Sequence, residues 1–145
     1  MMVKIIGSLK TKENKMKKNQ GIIIKGVTFY RHTNGGGLVA ETALVSKTAY
    51  IGPNAMIFDE ARVSLNAKVY DHARIFGNAL ISGKAKIYGY ATVSGKAGVG
   101  GNAEVYDNAK VSGNAMLYDN AIINGNTIIN NGDYHGDNSF SKYKR

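Results

Sequence analysis

Alanine stands at every sixth position from Ala43 to Ala121, fourteen times without a miss. Two residues after each comes Val, Ile or Leu, in an equally unbroken row from Val45 through Ile81 and Ile87 to Ile123. So short a period, sustained over so much of a chain, specifies a solenoid, in which each unit buries its apolar side only against the units above and below it. Two apolar positions separated by one variable residue have the period of a strand. The small and the large residue therefore point to the same side, and the residue between them points out. Beyond the aliphatic residue come pairs such as Gly77-Asn78, Gly83-Lys84, Asp107-Asn108 and Gly113-Asn114. These residue types tolerate the left-handed backbone that a sharp corner needs. Each hexad reads as one short strand followed by one corner.

The pattern [Val/Ile/Leu]-x-x-x-Ala-x, as in Ile51-Gly52-Pro53-Asn54-Ala55-Met56, resembles the hexapeptide repeat of left-handed parallel β-helix proteins. The resemblance covers residues 37–132, with Gly37/Val39 and Thr127/Ile129 as degenerate units at the two ends. It implies an all-β fold: three hexads form one triangular coil of eighteen residues, and about five such coils stack into a prism roughly 25 Å tall at the strand spacing of ~4.8 Å. The left hand is implied by the family alone, because parallel crossovers are ordinarily right-handed. Burial of each axial aliphatic residue contributes about 1.5–3 kcal/mol.

The rest of the chain divides by charge. The net charge of +9 is concentrated in residues 1–37, where eight cationic side chains face one Glu13, while residues 38–132 carry eight positive and seven negative groups. Residues 1–20 read as a basic arm, 21–37 as a β-rich cap over the first coil, 38–132 as the β-helix and 133–145 as a polar tail that frays from Asn130 onward. The arm, Lys10-Thr11-Lys12-Glu13-Asn14-Lys15-Met16-Lys17-Lys18, lacks interleaved aromatics and any recognised nucleic-acid pattern. That argues for a solvated leader or a dock for an acidic protein partner or assembly, and against sequence-directed nucleic-acid binding. With no cysteine in the chain, disulfides and thiolate chemistry are excluded. The apolar opening Met1-Met2-Val3 is too short for a secretory core and no run is long enough for a bilayer span. A cytoplasmic or virion protein without a membrane partner is expected.

Sorting the outward positions by the eighteen-residue coil gives three faces. One carries Leu44, Arg62, Leu80, Gly98 and Met116, with Ser46, Ser64, Ser82, Gly100 and Tyr118 beside them. It is the least charged face, and Gly98 with Gly100 leaves backbone open to close approach. Family members commonly pack such prisms side by side as trimers, so the resemblance implies a homotrimer interface here. The next face carries Tyr70, Tyr88 and Tyr106 one coil apart, a ladder that supports adjacent strands by ring contact or offers a platform to a sugar or planar ligand. Phe58 and Phe76 form a shorter ladder on the third.

Two enzyme templates belong to the resemblance. Hexapeptide acyltransferases usually carry a catalytic histidine on a loop that interrupts the coils, and here no insertion breaks the register between Ala43 and Ala121. His72 sits in a corner, in Tyr70-Asp71-His72-Ala73, either in the place of the commoner Asn or as a base held by Asp71. The gamma-class carbonic anhydrases hold zinc with three histidines. His32, His72 and His135 are the only histidines, separated along the axis by roughly 10 and 17 Å, too far for zinc–nitrogen bonds of about 2 Å. The reading that follows is a structural or interaction protein without catalytic residues, metal or cofactor. Such repeats are similar to those of small bacterial and bacteriophage-encoded hexapeptide proteins.

Overall fold

The computed structural model describes residues 20–136 and the backbone of residues 139–141. Residues 1–19 of the arm and the last residues of the tail lie outside the described residues. A hairpin of β1 (Ile22–Ile24) and β2 (Val27–Arg31) leads to β3 (Leu38–Ala40), β4 (Leu44–Val45), β5 (Tyr50–Ile51) and β6 (Met56–Ile57). Two-residue strands then recur every six residues from Arg62–Val63 to Met116–Leu117, followed by β17 (Ile122–Asn124) and β18 (Ile128–Ile129). Each strand takes one outward and one axial residue of a hexad, as the two-residue period requires.

The strands fall into three sheets, and every third strand is a neighbour in the same sheet. Leu80 pairs in parallel register with Arg62 and Gly98, and Lys86 with Lys68 and Glu104, an offset of eighteen residues per coil. The protein is a parallel β-solenoid of about five coils, all-β as expected. Main-chain bonds tie the coils together: Leu80 N donates to Ala97 O at 2.9 Å, and Ser82 N to Val99 O at 2.9 Å. The core is the axis itself. Every alanine of the row from Ala49 to Ala121 and every residue of the six-residue aliphatic row from Ile51 to Ile123 is at most 1% exposed, so most of the apolar gain comes from these two rows. Thr127 carries a hydroxyl into the alanine row, where its buried Oγ1 has no partner among the described residues.

Corner chemistry follows one rule. From Asp59 to Gly125 the first corner residue is left-handed: glycine at Gly77, Gly83, Gly89, Gly95, Gly101, Gly113 and Gly125, aspartate at Asp59, Asp71, Asp107 and Asp119. An aspartate followed one coil later by glycine makes a specific bond. Gly77 N donates to Asp59 Oδ2 at 3.0 Å, Gly89 N to Asp71 Oδ2 at 3.1 Å and Gly125 N to Asp107 Oδ2 at 3.0 Å. Leu65 departs from the rule: φ is 58° and its side chain is exposed, although a left-handed backbone costs an ordinary residue about 1–2 kcal/mol. Gly83 stands one coil later. Leu65→Asp should therefore recreate the Asp-to-Gly bond and raise stability by about 1 kcal/mol. Urea unfolding checks this, and an unchanged or lowered midpoint would refute the corner rule.

The two ends are built differently. At the start, β2 pairs antiparallel with β3 and adds the hairpin to the edge of the first sheet. The loop from His32 to Gly37 covers the edge of β5: Gly37 N donates to Ile51 O at 2.9 Å and Ile51 N to Asn34 O at 3.0 Å. His32 Nε2 lies 2.9 Å from Ala49 O, and a carbonyl can only accept, so this nitrogen carries the proton. The hairpin and the loop after it thus pair with two of the three edges, and on the remaining one Val45 stays half-buried.

At the far end the expected fraying from Asn130 does not occur. The chain keeps coiling, and β19 (Asp133–Tyr134) pairs with Met116–Leu117 while β20 (Ser139–Ser141) pairs with β17. Met116 aligns with Asp133, an offset of seventeen residues, and this one-residue shortening hides the continuation from a search at a fixed period. Tyr134 takes the axial place after Leu117 and packs against the core.

Candidate functional site

The interface residues expected from the sequence come together on the face built from β4 and the strands that stack beyond it. Leu44, Arg62, Leu80, Gly98 and Met116 occupy consecutive register positions. Leu44 is 62% exposed, Leu80 45% and Met116 42%. The strip is apolar and broken by one cation, since Arg62 is exposed between Leu44 and Leu80. Gly98 differs from expectation. It is buried, because the Met116 thioether folds over it: a Cβ at Gly98 would lie 2.9 Å from both Sδ and Cε of Met116. The bare backbone there is filled by a flexible side chain, and Gly100 remains half-buried beside it. Tyr118 stacks on His135 at 5.2 Å along the same face.

The tyrosine ladder forms as spaced. Tyr70 and Tyr88 stack at 4.9 Å with ring planes 1° apart, and Tyr88 and Tyr106 at 4.9 Å and 7°. Strand spacing fixes this distance, so each ring covers the face of the next. The hydroxyls of Tyr88 and Tyr106 are also engaged. Tyr88 OH donates to Glu104 Oε1 at 3.0 Å, and Tyr106 OH accepts from Asn124 Nδ2 at 2.9 Å. Burial, the bond to Glu104 and its negative charge hold the Tyr88 hydroxyl protonated well above the usual phenol range. Burial raises Tyr70 as well, with the charges of Asp71 and Glu104 acting in the same direction. Tyr88 and Tyr106 are thereby strand supports. Tyr70, at the end of the stack, is the ring of the three that lines an open depression.

On the third face the phenylalanine ladder, Phe58 on Phe76 at 4.9 Å, is extended by Phe29 of the hairpin, which meets Phe58 edge-on at 6.5 Å. Phe29, Phe58, Met56, Thr42 and Arg74 line a groove of about 860 Å³ beneath the hairpin. Sequence reading missed Phe29 as a member because the antiparallel hairpin lies outside the six-residue register.

The histidines are dispersed among different tasks. His32 caps the edge of β5, His72 stacks on Tyr90 at 4.9 Å in an exposed corner, and His135 stacks on Tyr118. The Asp71 carboxylate accepts from Gly89 N through Oδ2 at 3.1 Å. Among the described residues no three His, Asp or Glu side chains group as metal ligands, and no helix is long and apolar enough to cross a membrane. Comparison of the chain with family models, with curated proteins and with solved structures finds no match.

Proposed function

We propose that this protein is a non-enzymatic structural or interaction protein, a rigid β-helix of the left-handed hexapeptide-repeat kind. It assembles as a homotrimer and joins a protein partner or larger assembly through the basic arm of residues 1–20. One observation carries this reading: the coil keeps its eighteen-residue register from Leu38 to Ile129, and no loop longer than a corner leaves the stack. A catalytic site needs groups held around a reacting atom, whereas this surface repeats itself coil after coil. The exposed leucines and Met116 supply an apolar strip of the sort that a second chain covers. The repeat flavour, Gly-Asn-Ala and Asp-Asn-Ala, is similar to that of phage-encoded hexapeptide proteins, which favours a virion as the assembly.

Sedimentation of the full-length protein should give three times the 15.6 kDa chain mass. Leu80→Lys together with Met116→Lys, both at exposed positions, should shift it to monomer with the β circular dichroism unchanged. A monomeric starting protein would sink the trimer, and an arm-deleted chain that still enters the assembly would sink the role of the arm.

A further inference from the structure

The tyrosine ladder stops at Tyr70 for a steric reason. One coil earlier stands Gly52, buried, where a Cβ would lie 2.9 Å from Tyr70 Cβ. With no ring stacked on that side, Tyr70 opens onto a depression of about 610 Å³ whose lining includes Tyr50, Asn34, Asn66, Lys68 and Lys86. Lys68 and Lys86 are in direct register on adjacent strands, both exposed. Like charges placed opposite one another across strands repel. The next residue of the row, Glu104, is in register with Lys86, and its Oε1 accepts from Tyr88 OH at 3.0 Å, so two cations and one anion follow one another along this row. Asn34 commits its amide nitrogen to Ala49 O at 3.1 Å, which leaves its side-chain carbonyl able to accept a hydroxyl. Two repelling ammonium groups beside an aromatic ring and amide side chains match a ligand with an anion at one end and a hydroxylated, partly apolar ring at the other.

We propose that this end of the tyrosine face binds an acidic pyranose. The lysines hold the carboxylate or phosphate, the free face of Tyr70 takes the apolar face of the sugar ring, and Asn34 and Asn66 bond its hydroxyls. The site lies on a different face from the leucine strip, so it stands or falls independently of the trimer.

The test is a titration of the isotope-labelled full chain followed by amide NMR, with glucuronate, glucose 6-phosphate, glucose and inorganic phosphate as separate probes. Both acidic sugars should move the resonances of Lys68, Tyr70 and Lys86, with dissociation constants of about 1 mM or below, and glucose and phosphate alone should bind at least tenfold more weakly. Lys68→Gln with Lys86→Gln should weaken the acidic sugars at least tenfold. Lys84→Gln with Lys96→Gln, which removes the same charge from exposed corners, should leave them unchanged. Phosphate binding as tightly as glucose 6-phosphate, equal losses in the two double variants, or unmoved resonances would each overturn the proposal.

Discussion

Ile87→Ala should lower the free energy of unfolding by about 3–5 kcal/mol, the upper part of the range for deleting buried aliphatic groups. Ile87 is fully buried midway along the axis, between Val69 and Val105 of the adjacent coils. The void cannot close by collapse of the backbone, because Lys86 N to Ala103 O and Tyr88 N to Val105 O, each 3.0 Å, hold the coil at its spacing. The same truncation at Val45, half-buried in the first coil, should cost less than about 1.5 kcal/mol, since end units lose fewer contacts and fray on their own. Urea unfolding followed by circular dichroism measures both. Equal losses would mean that the axis is not one continuous core.

Gly113→Ala should be the most damaging of the corner substitutions, at about 2–4 kcal/mol, the sum of the left-handed backbone penalty and overpacking. A Cβ there would lie 2.0 Å from Asn130 O, with φ at 60°. The cause is the shortened last coil: Asn130 O accepts from Asn114 N at 3.2 Å and so sits where the side chain would go. At Gly95, the same corner one coil earlier, the nearest atom is Gly113 N at 2.7 Å. There the overlap is smaller, and alanine should cost less, about 1–3 kcal/mol, the backbone penalty with a lesser share of overpacking. Thermal melts of the two variants decide the matter, and hydrogen exchange should show the loss at Gly113 concentrated in residues 128–136. A melt no worse than that of Gly95→Ala would refute the account of the short coil.

Much of this architecture is legible in the sequence because its period and its physics coincide. The alanine and aliphatic rows mark strand, corner and axis with no long-range information, and the eighteen-residue sorting of Tyr70, Tyr88 and Tyr106 into one ladder follows directly. What escaped was whatever broke the count. Tyr134 is an axial residue that looks like part of a polar tail until one residue is dropped from the coil, and Phe140 then occupies the register position after Ile123. Had the search allowed a single deletion after Ile129, the spacing from Tyr134 to Phe140 would have revealed both strands.

Residue type misled at Gly98 and left the task of His32 open, in both places for reasons of contact. The His32 ring nitrogen serves as a donor to a carbonyl left over at the start of the solenoid. Gly98 suggests open backbone, yet its emptiness is the space into which Met116 folds. The aspartates read simply as corner residues, while their pairing with a glycine eighteen positions on, seen at Asp59, Asp71 and Asp107, is visible in the sequence once the bond is known.

The sequence by itself determined the repeating coil, because a two-residue apolar period closed by left-handed corners leaves the backbone one way to bury its side chains. Only the tertiary structure decided how the ends are finished and where the surface is open. Those depend on the hairpin and loop that meet the edges of the first coil, on the residue missing from the last, and on which side chain folds into the gap left by a glycine.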